Sequence, residues 1–192
     1  MMVVETDEQL ITGLTRGDWR ALESLLRRYE GPLFGFFYRL GCQAGWCEDL
    51  VQTVLIRVYE QRGRYDASRR FAPWLYGIAR NVWREHIRQQ ARGRAEPLDD
   101  AGDAGTDDAA DPLKQAEAAE EIHRVRRALL RLPQEERLTL VLRHWHGLTY
   151  EEVAETLDVP LGTVKWRIHD AHRKLAAWLA VGDRWRGWEV KG

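Results

Sequence analysis

Apolar residues recur along most of this chain at helical rather than strand spacing. Between Asp18 and Tyr29 they fall at Leu22, Leu25 and Leu26, and Leu33 to Leu40 adds a dense aromatic set of Phe34, Phe36, Phe37 and Tyr38. From Trp46 to Tyr59 the stripe is Cys47, Leu50, Val51, Val54, Leu55 and Val58, and from Pro73 to Gln90 it includes Trp74, Leu75, Ile78 and Val82. Spacings of three and four residues put these side chains on one helix face. No apolar–polar alternation bounded by turn dipeptides appears, so no strand is expected. The pattern stops at 93–112, GRAEPLDDAGDAGTDDAADP, which is rich in Gly, Ala and Asp. Such a segment buries too little apolar surface to offset its ordering entropy. Helix resumes near Leu113 and runs to Leu132, where Pro133 suits the first turn of a further helix. The expected fold is all-α: two small helical domains, 1–92 and 113–192, joined by a flexible acidic linker over 93–112. The stretch from Trp178 to Trp188 carries three tryptophans and no motif.

The sharpest local signal lies between Leu148 and Leu175. Thr149 and Glu152 form a capping box, in which each side chain satisfies a backbone N–H of the other. Val153, Ala154 and Leu157 then share an apolar face, Asp158-Val159-Pro160 interrupts it, and Val164, Ile168, Ala171 and Leu175 open a second stripe. Opposite this stripe stand Thr163, Lys165, Trp166, Arg167 and Arg173. Two short helices, one face buried and one rich in donors, make a helix-turn-helix ready for a DNA major groove. A plain surface hairpin of helices has the same outline.

Charge alters the picture once it is divided along the chain. The 192 residues sum to −1. Residues 1–92 hold 14 basic and 11 acidic side chains, residues 93–118 hold 2 and 8, and residues 119–192 hold 13 and 11. Arg57 to Arg92 alone carries 9 arginines against 3 acids. Near-neutrality therefore hides basic patches, and patches rather than totals attract phosphate. Within Tyr65 to Asn81, arginines alternate with Phe71, Trp74 and Tyr76, a mixture suited to stacking unpaired bases while tracking their backbone. Arg84 and Arg88 lie one turn apart on the same face. No apolar run approaches the ~20 residues of a membrane span, and MMVVETDEQL lacks the basic start and apolar core of a secretion signal. A cytoplasmic protein without membrane insertion is expected. Cys42 and Cys47 fit that compartment. They have no partner cysteines or nearby histidine, and Cys47 continues an apolar stripe, so a buried small hydrophobe is the better account.

Two blocks of this sequence resemble the sigma-70 family of bacterial RNA polymerase sigma factors. LTYEEVAETLDVPLGTVKWRI is similar to the family's region 4 run S-Y-x-E-I-A-E-x-L-G-x-P-x-G-T-V-K-S-R-L, with Leu132-Pro133 and Arg137 matching its lead-in. Glu48-Asp49-Leu50-Val51-Gln52 and Phe71-Ala72-Pro73-Trp74-Leu75-Tyr76-Gly77-Ile78-Ala79-Arg80-Asn81 resemble region 2. Both blocks stand in the family's order, and the short chain points to the extracytoplasmic-function (ECF) group. The resemblance implies docking on core RNA polymerase through Glu48, Asp49, Gln52 and Thr53. It implies reading of a promoter −10 element through Tyr65, Arg69, Arg70, Phe71, Trp74, Arg80, Asn81, Arg84 and Arg88. The −35 element would meet Thr149, Thr163, Lys165, Trp166, Arg167 and Arg173. Promoter DNA and core polymerase are then the partners, with an anti-sigma factor as the expected regulator and no cofactor or small-molecule substrate. The chain departs from the family at Thr53, Val54, Leu55, Trp166, Asp170 and His172. A free-standing helix-turn-helix regulator is the alternative, but it would need a ligand or dimer domain in place of residues 1–92. An enzyme would have to use His144, His146, His169 or His172, and no third metal ligand, phosphate loop or nucleophile elbow accompanies them.

Overall fold

A computed structural model describes residues 5–92 and 112–180, with side chains described over 5–92 and 120–179. The expected linker lies outside these residues except for Pro112, as do Trp185 and Trp188. The described residues are helical apart from short turns: α1 (Asp7–Thr15), α2 (Trp19–Leu40), α3 (Ala44–Gln61), a 3-10 turn at Arg62–Arg64, α4 (Phe71–Arg92), α5 (Pro112–Leu130), α6 (Gln134–Trp145), α7 (Tyr150–Leu157) and α8 (Leu161–Ala180).

Helix α1 was not anticipated from the apolar pattern. It begins with a capping box of its own: Thr6 Oγ1 accepts from Gln9 N, and Gln9 Oε1 accepts from Thr6 N at 2.8 Å. Its Leu10, Ile11 and Leu14 are buried. Helix α2 joins two segments that the sequence reading kept apart at Gly31-Pro32. Proline forfeits one N–H and crowds the preceding turn, yet Pro32 lies inside a continuous helix. Gly31 and Pro32 are exposed, while Leu25, Leu33, Phe36 and Phe37 all sit at 2 % exposure or less. Tertiary burial of one long stripe thus overrides the local penalty.

Helices α1–α4 pack around Leu25, Phe36, Phe37, Val51, Val54, Phe71, Leu75 and Trp83; α6–α8 pack around Leu138, Val141, Leu142, Val153, Val164, Ile168 and Ala171. Asp158 adopts the left-handed conformation (φ 55°) and ends α7, and Val159 N donates back to Ala154 O. This tight turn orients α8.

The two helical units touch. Their buried residues form one continuous cluster, with α2 against α5 and α6 and α4 against α7. Gly41 caps α2 at φ 107°, and a Cβ there would stand 2.8 Å from Leu130 Cδ2 of α5. Arg126 of α5, 8 % exposed, lies over the Tyr38 ring and donates to the carbonyls of Tyr38 (3.1 Å) and Cys42 (3.3 Å). It thereby adds a second donor to the Tyr38 carbonyl, which also accepts from Gly41 N at 3.1 Å, at the end of α2. Cys42 and Cys47 are buried and free, and burial pushes the Cys42 thiol up to about 12 and raises that of Cys47 as well. Thiols so placed act as packing groups rather than nucleophiles.

Candidate nucleic-acid and polymerase interface

Helix α3 buries Cys47, Leu50, Val51, Val54 and Val58, and this fixes which side chains face outward. Glu48, Asp49 and Gln52 are exposed along one ridge, and Thr53 is half-buried with its hydroxyl donating to Asp49 O at 2.8 Å. Ile56 continues the ridge one turn after Gln52 and is 59 % exposed. The sequence reading passed over Ile56. An apolar side chain one turn after Gln52, on the outward side of the helical stripe, was the available signal. Trp19 stacks on Tyr59 at the same end of α3, with centroids 5.3 Å apart.

Helix α4 and its preceding loop gather the arginine-aromatic set. Phe71 is core at 1 % exposure, so it supports Tyr65 and Trp74 rather than presenting a ring to a base. The Tyr65 ring meets Phe71 and Trp74 edge-on, and its hydroxyl donates to Arg69 O. Trp74 is half-buried. Arg88 and Asn81 are exposed. The remaining cations are engaged across the chain. Arg69 pairs with Glu155, and Arg70 Nη1 stands 2.9 Å from both carboxylate oxygens of Glu152. Arg80 donates to the Thr156 and Leu157 carbonyls at 3.0 and 2.9 Å, and Arg84 pairs with Glu135 at 3.2 Å. Burial lowers the pKa of Arg80, with Arg84 close by adding to the effect.

In the helix-turn-helix, Thr149 Oγ1 accepts from Glu152 N at 3.1 Å and Glu152 Oε2 accepts from Thr149 N at 2.8 Å. Thr149 is therefore occupied as the cap of α7. On α8, Lys165, Trp166 and Arg173 are exposed and Thr163 is half-buried, with Trp166 at 60 %. His169, which the sequence reading left out of this set, is also exposed on α8. At ~100° per residue it lies between Lys165 and Arg173 around the helix. Arg167 turns the other way: its side chain is 16 % exposed and pairs with Glu135 at 3.2 Å. Asp170 binds Arg173 at 2.5 Å and Lys174 at 2.8 Å. The hydrogen bonds from Lys174 and Arg173 hold its carboxyl below the usual range. The acid thus organises neighbouring cations instead of standing alone on the reading face.

His144, His146 and His172 lie against other rings. Tyr76 Oη and His146 Nδ1 stand 2.6 Å apart, and His144 and His172 meet through Nε2 at 3.0 Å. Among the described residues no group of three or more His, Cys, Asp or Glu side chains is placed to hold a metal ion. No described helix is long and apolar enough to cross a membrane.

Residues 25–93 match the family model for sigma-70 region 2, and residues 128–177 match that for sigma-70 region 4. The RNA polymerase sigma-H factor of Pseudomonas aeruginosa is 34% identical over 184 residues, covering 91% of this chain and 94% of that protein. This chain belongs to the sigma-70 family, in its ECF group. The ECF sigma-E factor of Escherichia coli is 30% identical over 177 residues, covering 88% of this chain and 92% of that protein. Among solved structures, CnrH in complex with the cytosolic domain of CnrY matches with a TM-score of 0.72 at 24% identity, covering 93% of this chain and 100% of that one. RpoE of Bartonella quintana, solved with the anti-sigma factor NepR, matches with a TM-score of 0.67 at 22% identity over 84% of this chain and 98% of that one. These two likenesses concern the fold. Within it, α2–α4 correspond to region 2 and α6–α8 to region 4.

Proposed function

We infer that this sigma factor docks on core RNA polymerase, carries it to promoters through −10 and −35 elements, and assists strand opening. The observation that carries this reading is the presence, in one sigma-70 chain, of an outward polar ridge on α3 together with separate arginine- and lysine-bearing faces on α4 and α8. Glu48, Asp49 and Gln52 dock the polymerase, with Thr53 at the margin. Arg84, Arg88, Asn81 and Arg80 line the −10 surface on α4, with Arg69, Arg70, Tyr65 and Trp74 from the loop and first turn. Lys165, Trp166 and Arg173 on α8 face the −35 element, and the N–H groups opening that helix suit phosphate. Phe71 and Thr149 serve these surfaces as supports.

The domain division follows the same logic: 1–92 for region 2, 113–192 for region 4, and 93–112 as the tether. Twenty extended residues reach about 70 Å, and roughly 20 base pairs at ~3.4 Å also span about 70 Å. One chain can then hold both elements, and each raises the effective concentration of the other. The protein works in the cytoplasm on DNA and polymerase, without chemistry of its own. Its regulator is an anti-sigma protein, of the kind with which RpoE of Bartonella quintana was solved.

Asp49→Ala combined with Gln52→Ala tests the docking assignment. Both side chains are exposed, so the fold should persist while affinity for purified core polymerase drops by about tenfold, as expected for two central contacts. Unchanged affinity refutes the α3 assignment. A footprint on duplex DNA without polymerase supports the free-standing regulator instead.

A further inference from the structure

Two histidines that none of the surfaces described above uses meet inside region 4. His144 lies in the last turn of α6 and His172 on α8, and both are half-buried. His172 stands about 40° from Ile168 around the helix, at the edge of the buried stripe. The two Nε2 atoms are 3.0 Å apart. The ring centroids are 4.8 Å apart with the planes at 51°, closer than two rings meeting nitrogen to nitrogen along one line. The nitrogens therefore meet at an angle. A hydrogen bond alone is best served by a straight contact, whereas two lone pairs that share an ion must bend toward it. Imidazole nitrogens bind zinc-sized ions at ~2.0–2.1 Å. At that reach a nitrogen separation of 3.0 Å subtends roughly a right angle at the ion, as tetragonal nickel(II) and copper(II) sites require.

Both rings are also kept in their ligating form. Burial first, then His172 and Arg143, lowers the His144 pKa to about 4. Burial lowers that of His172 too, with His169 adding to the effect. Neutral imidazoles offer their lone pairs near pH 7 without a bound proton to displace. The charge of Arg143 works against a cation here, which makes the site an exchangeable one.

We propose that His144 and His172 chelate one divalent transition-metal ion, nickel(II) or copper(II), and so tie α6 to the recognition helix. Among the described residues no further His, Cys, Asp or Glu joins them as a third ligand, so water fills the remaining positions. In the metal-free pair one ring donates its Nε2–H to the other. On binding, that proton moves to the same ring's Nδ1, both Nε2 lone pairs go to the metal, and no proton is released. Only the folded chain brings α6 and α8 together, so the ion stabilises the fold. The site stands independently of the promoter-binding reading.

The test is titration of nickel(II) chloride into the full-length chain in a non-chelating buffer near neutral pH, followed by calorimetry and by thermal melting. One equivalent should bind, and the melting midpoint should rise with nickel concentration. His144→Gln and His172→Gln each keep an amide for hydrogen bonding and remove one ligand. Either should weaken binding about tenfold or more, since even an outer-shell partner of a metal is worth that much. His169→Gln, at an exposed site one turn earlier on α8, should leave both readouts unchanged. With copper(II) in place of nickel, electron paramagnetic resonance of the unaltered chain should show coupling to two imidazole nitrogens. That spectrum decides the matter even where a variant fails to fold.

A chain that takes up no nickel at millimolar concentration overturns the site. Uptake that survives both Gln variants, or that is lost equally with His169→Gln, places the ion elsewhere and overturns the pair. A copper spectrum without two coupled nitrogens does the same.

Discussion

Replacing His146 by Gln should remove a defined part of this protein's acid sensitivity. His146 follows α6, packs against Phe36 and Tyr76 of region 2, and shares a 2.6 Å hydrogen bond with the Tyr76 hydroxyl. Its Nε2 is sealed from solvent without a partner. Burial, with Arg39 close by, pushes its pKa down to about 3 from 6.5. The folded chain therefore binds fewer protons at this site than the unfolded chain below pH 6.5. Stability from the neutral imidazole is fully present above that pH and is lost progressively as pH falls toward 3. Between pH 7.0 and 5.5 the linkage integral for these two pKa values amounts to about 1.2 kcal/mol. Carboxylates, with ordinary values near 4, contribute little in that window. His144, lowered by burial and by His172, adds a loss of the same sign. Urea unfolding at the two pH values, followed by tryptophan fluorescence and circular dichroism together, measures the difference. The unaltered chain should lose stability on acidification, and His146→Gln should lose about 1.2 kcal/mol less. The variant keeps an amide for Tyr76 to meet and cannot titrate. An unchanged pH dependence in the variant would refute the buried neutral imidazole.

Other expectations concern separate parts of the molecule. Arg84→Ala with Arg88→Ala should reduce promoter opening, read by permanganate reactivity, while core-polymerase affinity stays level; an equal loss of both would contradict the division of surfaces. Lys165→Ala should lower the slope of log affinity against log salt at the upstream element by about 1, and an unaltered slope argues against a phosphate contact there. Thr149→Ala removes half of the α7 capping box and should cost about 1 kcal/mol of stability, measured by thermal melting.

Much of the fold is written in apolar spacing. Val153, Leu157, Val164, Ile168 and Ala171 are all buried as their period requires, because helical burial leaves a three-four repeat in any sequence. Helix α1 was just as legible: Thr6 and Gln9 repeat the capping logic of Thr149 and Glu152, ahead of Leu10, Ile11 and Leu14. The inward turn of Arg167 was also available from geometry. It lies about 60° from Val164 around the helix, at the flank of the buried stripe rather than opposite it. The mating of the two units was not legible. Arg69 and Glu155 are 86 residues apart, and exposed charges carry no code for which opposite charge they meet. The same limit applies to Phe71. An aromatic among arginines suits base stacking and core packing alike, and only the placement of Tyr65, Trp74 and Tyr29 around it settles the matter.

Run-off transcription with purified bacterial core polymerase on genomic fragments, with and without this protein, tests whether it directs initiation at specific promoters. Discrete start sites that require the protein are expected, each preceded by two shared sequence elements about 20 base pairs apart at a spacing the tether can span. Transcription that is unchanged by the protein, alongside duplex footprints made by the protein alone, would contradict that role.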